Sequence, residues 1–360
     1  MAFIRNETRH RQSLIIADER ISCYMTTTND TLSVASINLI LFAVRQQGVD
    51  TEPLIQTIGI TPEQLRDPDG RVFIWQIQTL WQEIVRVTGD PSIPLKLGEL
   101  VNPVAVGVLA YVMMHSPTLG RALEKLCHYQ DIACEGVATT GQLTGNQYIL
   151  SLRITSTDIR YPDYTYNSEL SVYLAAMRAL TGITITAKEI QFAYPRPIDI
   201  REHERVFAPA KLSFDAPETV MILDASLLDL PILNASPTLS ALFEKHAKDL
   251  LDKLKTPTIS SRVKTEIVTI MKGEEPTLAT VADRLAMGIR TLQLRLKEAG
   301  TSYQQLLDET RKELAVRHLR EPNLSTTDIA YLLGFAEPSV FFRSFKKWTG
   351  QTPGAFRMAS

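Results

Sequence analysis

The chain has 360 residues, 44% of them hydrophobic and 22% charged, with a formal net charge of -2. That is material for a core in each of two domains, and the overall charge points to no partner. The balance along the chain is uneven: from Pro257 onward there are 15 Lys+Arg against 11 Asp+Glu, leaving 23 of the 38 basic and 29 of the 40 acidic residues before it, so a basic end follows an acidic body, as in a nucleic-acid domain joined to something else.

In chain order, residues 1 to about 30 are polar and mixed, and a loosely ordered segment is expected. They lack an apolar run of signal-peptide type, and the apolar stretches around Ile37–Val44 and Val104–Met114 are too short to span a bilayer, so a soluble, cytoplasmic, nucleoid-associated protein is expected, without membrane contact. From Ser33 to His128 the apolar period is helical, with stripes at Ile37, Leu41, Val44 and at Ile74, Ile77, Leu80, Trp81, Ile84. Thr61-Pro62-Glu63-Gln64 opens a short helix with an N-cap and a proline at the first position; Ser116-Pro117-Thr118-Leu119 is expected to do the same for the helix through Leu123, Leu126 and Cys127. Cys23, Cys127 and Cys134 are too sparse for a disulfide framework and read as cytosolic thiols.

Val137–Leu143 and Tyr148–Ile154 read as strands around the turn Thr144-Gly145-Asn146-Gln147. A helix with Leu170, Tyr173, Leu174, Met177 and Leu180 follows, then strands over Ile183–Tyr194, Lys211–Phe214 and Thr219–Asp224. Helices and strands in one acidic segment predict a mixed α/β (α+β) domain over residues 31–256. The helix from Ser236-Pro237 to Leu254 ends at Lys255-Thr256-Pro257, where the boundary falls, and residues 257–360 form an all-α domain.

Within that domain two segments resemble each other. Val281-Ala282-Asp283-Arg284-Leu285-Ala286-Met287-Gly288 precedes an amphipathic helix over about 289–299; Ile329-Ala330-Tyr331-Leu332-Leu333-Gly334-Phe335-Ala336 precedes another over about 338–348. Ala282 and Ala330 allow close helix approach, and Gly288 and Gly334 are expected to supply the tight turns of two helix-turn-helix units. Leu292 and Leu296, then Phe341, Phe345 and Trp348, point inward; Arg290, Gln293, Leu294 and Ser339, Phe342, Arg343 lie opposite, where Arg and Gln can pair bidentately with base edges. Thr291, Arg295, Arg311, Ser344, Lys346 and Lys347 are candidates for the DNA backbone. Between the units Tyr303–Arg320 reads as one helix of roughly 27 Å, a spacer suited to two reading helices about 34 Å apart.

The run from Met287 to Leu296, and Asp328-Ile329-Ala330 with Gly334-Phe335, Phe341–Pro353 and Phe356-Arg357, resemble the DNA-binding domain of the AraC/XylS family over about Thr277 to Arg357. Ser116–Gly120 and Phe214–Pro217 carry a weaker similarity to the arabinose-binding-type α/β effector domain of one subgroup. The resemblance implies base readers at Arg290, Gln293 and Leu294, and at Pro338, Ser339, Phe342 and Arg343. Leu294 departs from the family's usual arginine and offers a thymine methyl apolar contact only. It further implies a sequence-specific bacterial regulator, an activator responsive to a small molecule, with a double-stranded operator, RNA polymerase and a second copy of the chain as partners. The other reading is a repressor or architectural protein without an effector. An enzyme is disfavoured: there is no nucleophile elbow, zinc-protease motif, phosphate loop or dinucleotide fingerprint, the six histidines are dispersed, and neither cofactor nor metal is expected. Trp75, Tyr111, His128, Tyr148, Tyr164, Tyr166 and Arg178 are the candidates for an effector pocket, with an amino-acid-like or an amphipathic acyl molecule both compatible.

Overall fold

The computed structural model describes residues 30–100, 107–256, 258–271, 275–320 and 324–359; residues 1–29, and with them Cys23 and the expected loose segment, lie outside. Two compact units meet in the chain between Lys255 and Thr256.

The first unit holds two apolar cores. A short antiparallel ribbon, β1 (Thr31–Ser33) on β2 (Arg71–Phe73), feeds directly into α1 (Val34–Gln46) and α4 (Ile74–Thr88). Ser33 caps α1 by accepting from the Ser36 N–H. Between them lie α2 (Glu52–Ile58) and α3 (Pro62–Arg66), the latter started by the Thr61/Gln64 capping box with Pro62 in the first turn. Ile37, Val44, Ile58, Leu80 and Ile84 fill this core. The Arg71 guanidinium fastens the ribbon to its neighbours, donating to Thr31 Oγ1 at 2.6 Å and to the Ile132 carbonyl at 2.7 Å.

The second core joins α5 (Ile93–Leu100), α6 (Val108–Met114), α7 (Leu119–Ala133) and α8 (Pro162–Thr181) to a five-stranded sheet. The cap of α7 is Thr118, which accepts from Arg121 N–H, not Ser116; Pro117 therefore precedes the helix rather than opening it. β3 (Val137–Thr144) and β4 (Gln147–Ile154) form the expected hairpin, turning at Gly145-Asn146 with Gly145 at φ +60°. β4 pairs antiparallel with β7 (Thr219–Asp224), β7 with β5 (Glu189–Gln191), and β5 runs parallel to β6 (Lys211–Ser213). The strand expected over Ile183–Tyr194 is thus only three residues long; Ile185, Ala187 and Phe192 are buried as apolar plugs outside the ladder. α5 lies flush on α8: a Cβ at Gly98 would sit 2.2 Å from the Ser171 carbonyl oxygen. α9 (Arg201–Phe207) and α10 (Pro237–Lys255) complete the unit, with Phe243 of α10 stacked on Tyr111 of α6 at 4.8 Å.

His203 of α9 is buried among Phe192 and Phe214. Tyr194 donates its hydroxyl proton to Asn167 Oδ1 at 2.5 Å, so His203 Nε2, 2.9 Å from the same oxygen, must be the protonated nitrogen. Nδ1 has no hydrogen-bond partner among the described residues. Burial lowers this imidazole from 6.5 to about 4. Above pH 6.5 the neutral ring carries no penalty; as pH falls from there toward 4 the unfolded chain takes the proton and the folded one does not, so up to about 3 kcal/mol of stability is lost. Urea unfolding of the full chain at pH 7 and pH 4.5 is expected to show a larger loss than in His203→Gln, and equal losses would remove His203 as the cause.

The second unit is helical throughout its described residues: α11 (Ile259–Ile270), α12 (Leu278–Arg284), α13 (Ile289–Glu298), α14 (Tyr303–Leu319), α15 (Thr326–Leu332), α16 (Pro338–Thr349) and α17 (Pro353–Ala359). Its core contains Val263, Ile267, Val281, Leu292, Leu307, Ala315, Ile329, Phe341 and Phe345. Lys264 of α11 bridges to Glu309 at 3.1 Å and Glu313 at 3.2 Å of α14. No described helix is long and apolar enough to cross a membrane.

Candidate functional site

Two features of the molecule have the make-up of a site. One is a pair of exposed helix faces in the second unit. The other is a cavity in the first.

The two helix pairs, α12–α13 and α15–α16, are built alike. Ala282 and Ala330 are fully buried at the crossing of each pair. After each first helix the chain reverses through a residue in the left-handed region, Ala286 at φ +53° and Gly334 at φ +68°. The next N–H then reaches back to the buried alanine's carbonyl, from Met287 to Ala282 at 2.9 Å and from Phe335 to Ala330 at 3.1 Å. Gly288 is not the turn residue: it has φ -69° and ψ 145°, extended backbone open to any residue, and it is the N-cap of α13. An alanine holds the left-handed position instead, at a cost of about 1 kcal/mol that the packed pair absorbs. The second turn is one residue longer, and its helix starts after Glu337 with Pro338 in the first turn.

Each second helix buries one stripe, Leu292 and Leu296 or Phe341 and Phe345, with Trp348 half-buried. Opposite, Arg290, Thr291, Gln293, Leu294 and Arg295 of α13 are exposed, as are Ser339, Phe342, Arg343, Lys346 and Lys347 of α16; Pro338 and Ser344 are half-exposed. Leu294 is 57% and Phe342 38% exposed. An apolar side chain left in water on a face otherwise fit to hydrogen-bond is what contact with a thymine methyl would use. Glu337, which the sequence pattern did not single out, sits at the start of α16 and accepts from Ser339 Oγ at 3.2 Å.

Arg311 does not belong with these residues. It is 7% exposed, its Nε donates to the Leu333 carbonyl at 3.0 Å and Nη2 to the Gly334 carbonyl at 2.9 Å, and the guanidinium lies 4.2 Å from the Phe335 ring centre. Its charge is spent holding the second turn, so it is unavailable to a phosphate.

In the first unit a cavity of about 120 Å³ lies at the seam of the two cores, walled by α1, α4, α6, α7 and α8. The wall is mainly apolar, including Ile40, Trp81, Leu109 and Met113; its polar side chains are Gln78, Gln130, Thr165, Glu169 and Tyr173 of α4, α7 and α8, with the hydroxyls of Ser36 and Ser168. The Tyr173 hydroxyl donates to Gln130 Oε1 at 2.9 Å and lies 3.2 Å from Thr139 Oγ1. Gln78 is spanned between elements, its Nε2 donating to Thr165 Oγ1 at 3.2 Å and its Oε1 accepting from the Tyr161 N–H at 2.9 Å. Burial pushes the Glu169 carboxyl up, and the Tyr173 hydroxyl well up, from their ordinary ranges. Cys134 also lines the cavity, and burial pushes its thiol up to about 12.

None of the seven effector-pocket candidates lines this cavity. Tyr111 is stacked under α10 and faces a second cavity of about 450 Å³ with Phe243 and His246. Tyr148 and Tyr166 are core residues, Tyr166 hydroxyl accepting from the Ile154 N–H at 3.4 Å. Tyr164 stacks on Tyr161, His128 is exposed beside Tyr129, Arg178 donates to the Ile185 carbonyl at 2.8 Å, and Trp75 is half-buried. A sequence signal lay on one turn of α8, where Glu169 and Tyr173 stand four apart beside the apolar Leu170, Val172 and Leu174.

Residues 48–232 match the model for the arabinose-binding domain of AraC transcription regulators, and residues 281–359 match a helix-turn-helix domain. The ornithine utilization regulator of Pseudomonas aeruginosa is 29% identical over 335 residues, covering 92% of this chain and 98% of its own. The transcriptional regulator VirS of Mycobacterium tuberculosis is 24% identical over 319 residues, covering 87% and 92%. The crystal structure of the regulator CdpR from Pseudomonas aeruginosa is 23% identical over 86% of this chain and 98% of its own, at a TM-score of 0.40.

Proposed function

Because the chain belongs to the AraC/XylS family, whose members are DNA-binding transcription regulators rather than enzymes, we propose that it reads duplex DNA with α13 and α16 in successive major-groove segments and that a small molecule in its first domain controls this. The observation that carries the reading is the repetition: two helix pairs with the same reversed turn each present an exposed, Arg-bearing face, at the basic end of the chain. Arg290, Gln293 and Leu294, and Ser339, Phe342 and Arg343, with Pro338 beside them, meet the bases. Thr291, Arg295, Ser344, Lys346 and Lys347 flank them for the phosphates. α14, at about 26 Å for its 17 residues, spaces the two units.

Residues 31–256 are the effector-binding and dimerisation domain, and residues 257–360 the DNA-binding domain. The cavity at the seam of the two cores supports the effector role, since a ligand there would touch both and favour one arrangement over another. The relative named for ornithine utilization is in keeping with a metabolite signal. The joint after α10 is short in sequence and contains Pro257, and an effector-dependent change in the first domain would reach the second through it. The protein acts as an activator, with a second copy of the chain and RNA polymerase as partners, in the cytoplasm at the nucleoid.

The test is operator affinity with and without an effector found by thermal-shift screening of metabolites. The intact chain should respond and the fragment from Pro257 to Ser360 should not. Coupling is reciprocal, so operator DNA should tighten effector binding by the same factor. A genuine ligand that left operator affinity and promoter output unchanged would overturn the regulatory half of the proposal and favour an architectural protein.

A further inference from the structure

We infer that the effector cavity selects a small apolar compound bearing one ammonium group, bound with its nitrogen at Glu169 and its hydrocarbon body among Ile40, Trp81, Leu109 and Met113. The inference rests on the reading of this domain as the effector domain and names the ligand class.

Three observations carry it. The first is charge. Glu169 is the one carboxylate in the cavity wall, and among the described residues the wall has no Lys, Arg or His. An ionised carboxylate removed from water without a cation is costly, and the energy it lacks is supplied by a ligand that brings the cation with it. The second is the donor count. Around the Tyr173 oxygen stand the Gln130 amide oxygen, the Thr139 hydroxyl and the Glu169 carboxylate. Tyr173 also hydrogen-bonds the Glu169 carboxyl, but its one proton is shared between that carboxyl and Gln130, so the carboxylate has at most this one shared donor. An ammonium has three, enough for both Glu169 and a neighbouring hydroxyl or amide oxygen. The third is size. A cavity of about 120 Å³ is a little smaller than the 150 Å³ apolar cavity that holds benzene, so the body is that of about six carbon atoms.

The same features disfavour both effector classes that the sequence left open. An α-amino acid brings a carboxylate, which in this cavity would face Glu169 with no basic side chain to receive it, and a long acyl chain exceeds a body of about six carbon atoms. A diamine would leave its second ammonium without an acid. The wall thus sorts ligands by charge as much as by shape, through the repulsive partner as well as the attractive one.

The experiment uses the full chain and three probes of one shape: benzylamine, benzyl alcohol and benzoate. Binding is measured by calorimetry and by thermal shift at pH 7. Benzylamine should bind at least about tenfold more tightly than benzyl alcohol, and benzoate not measurably. Glu169→Gln keeps the volume and removes the charge; it should erase the benzylamine preference while leaving benzyl alcohol within about twofold, which also shows that the variant is folded and its cavity intact. Benzylamine bound no better than the alcohol, or equally well by Glu169→Gln, would overturn the inference. Tight benzoate binding would overturn it too, while leaving the proposed effector function of the domain standing.

Discussion

Arg311→Ala should destabilise the DNA-binding domain by about 3–4 kcal/mol, in a unit of about a hundred residues whose total stability is of the order of 5–15 kcal/mol. The side chain donates from two nitrogens to the carbonyls of Leu333 and Gly334, and hydrogen bonds from a charged donor are worth about 1.5–3 kcal/mol each. Those carbonyls belong to the reversed turn between α15 and α16, where the chain leaves the helix and they have no helical partner. The guanidinium also covers the Phe335 ring. Alanine would leave two buried acceptors bare and a hole over the ring. The expected thermal shift is about 15 °C or more. Arg311→Lys keeps the charge but not the planar fork, so it should recover less than half of the loss. If Arg311 acted instead on phosphate, the alanine variant would melt like the wild type and lose DNA affinity with a flatter salt dependence; that outcome would contradict its placement.

Arg343→Ala should act the opposite way, leaving stability within about 0.5 kcal/mol because the side chain is exposed, and costing about 1–3 kcal/mol of operator affinity, roughly 5- to 150-fold. The loss should be confined to one base-pair position, seen as relaxed preference there when all four pairs are tried. Lys347→Ala, one turn further along the same helix, should weaken all sequences alike and reduce the slope of log affinity against log salt by about one unit. The contrast separates base reading from backbone anchoring. An unchanged preference profile in Arg343→Ala would mean that α16 enters the groove by another face.

The repeated helix pairs were legible in the sequence because a steep helix crossing demands a small residue, and Ala282 and Ala330 sit in the same context of apolar neighbours. The turn of the first pair departs from the glycine pattern for a physical reason. The second turn is one residue longer, so aligning the pairs by glycine sets Gly288 against Gly334, whereas aligning them by backbone sets Ala286 there. Left-handed alanine gives no compositional sign. Arg311 departs from the sequence expectation because charge ordinarily marks the surface, whereas α14 is buried on more than one side, at Leu307, Arg311 and His318 and also at Leu306, Ala315, Val316 and Leu319. The cavity of the first unit was illegible for another reason. Large aromatics such as Tyr148 and Tyr166 fill space and become core, while a cavity is made by what does not fill it, at the meeting of α1, α4 and α8, which are far apart in the chain. Glu169 a turn before Tyr173 does not by itself mark a cavity in the sequence, since its meaning depends on the neighbours that α4 and α7 bring to it.

The claim that both helix pairs read DNA together is tested most directly by the spacing of half-sites. Operators selected from a random duplex pool should contain two short conserved blocks about one helical turn apart, 10–10.5 base pairs centre to centre. Inserting five base pairs between the blocks turns the second to the far side of the duplex, which α14 cannot reach around. Affinity of the full chain should then fall to that of a single block, and an insertion of one further half-turn should not restore it, because the spacer is a helix of fixed length. Affinity that is unaffected by the five-base-pair insertion, or a selected operator with a single block, would contradict the account.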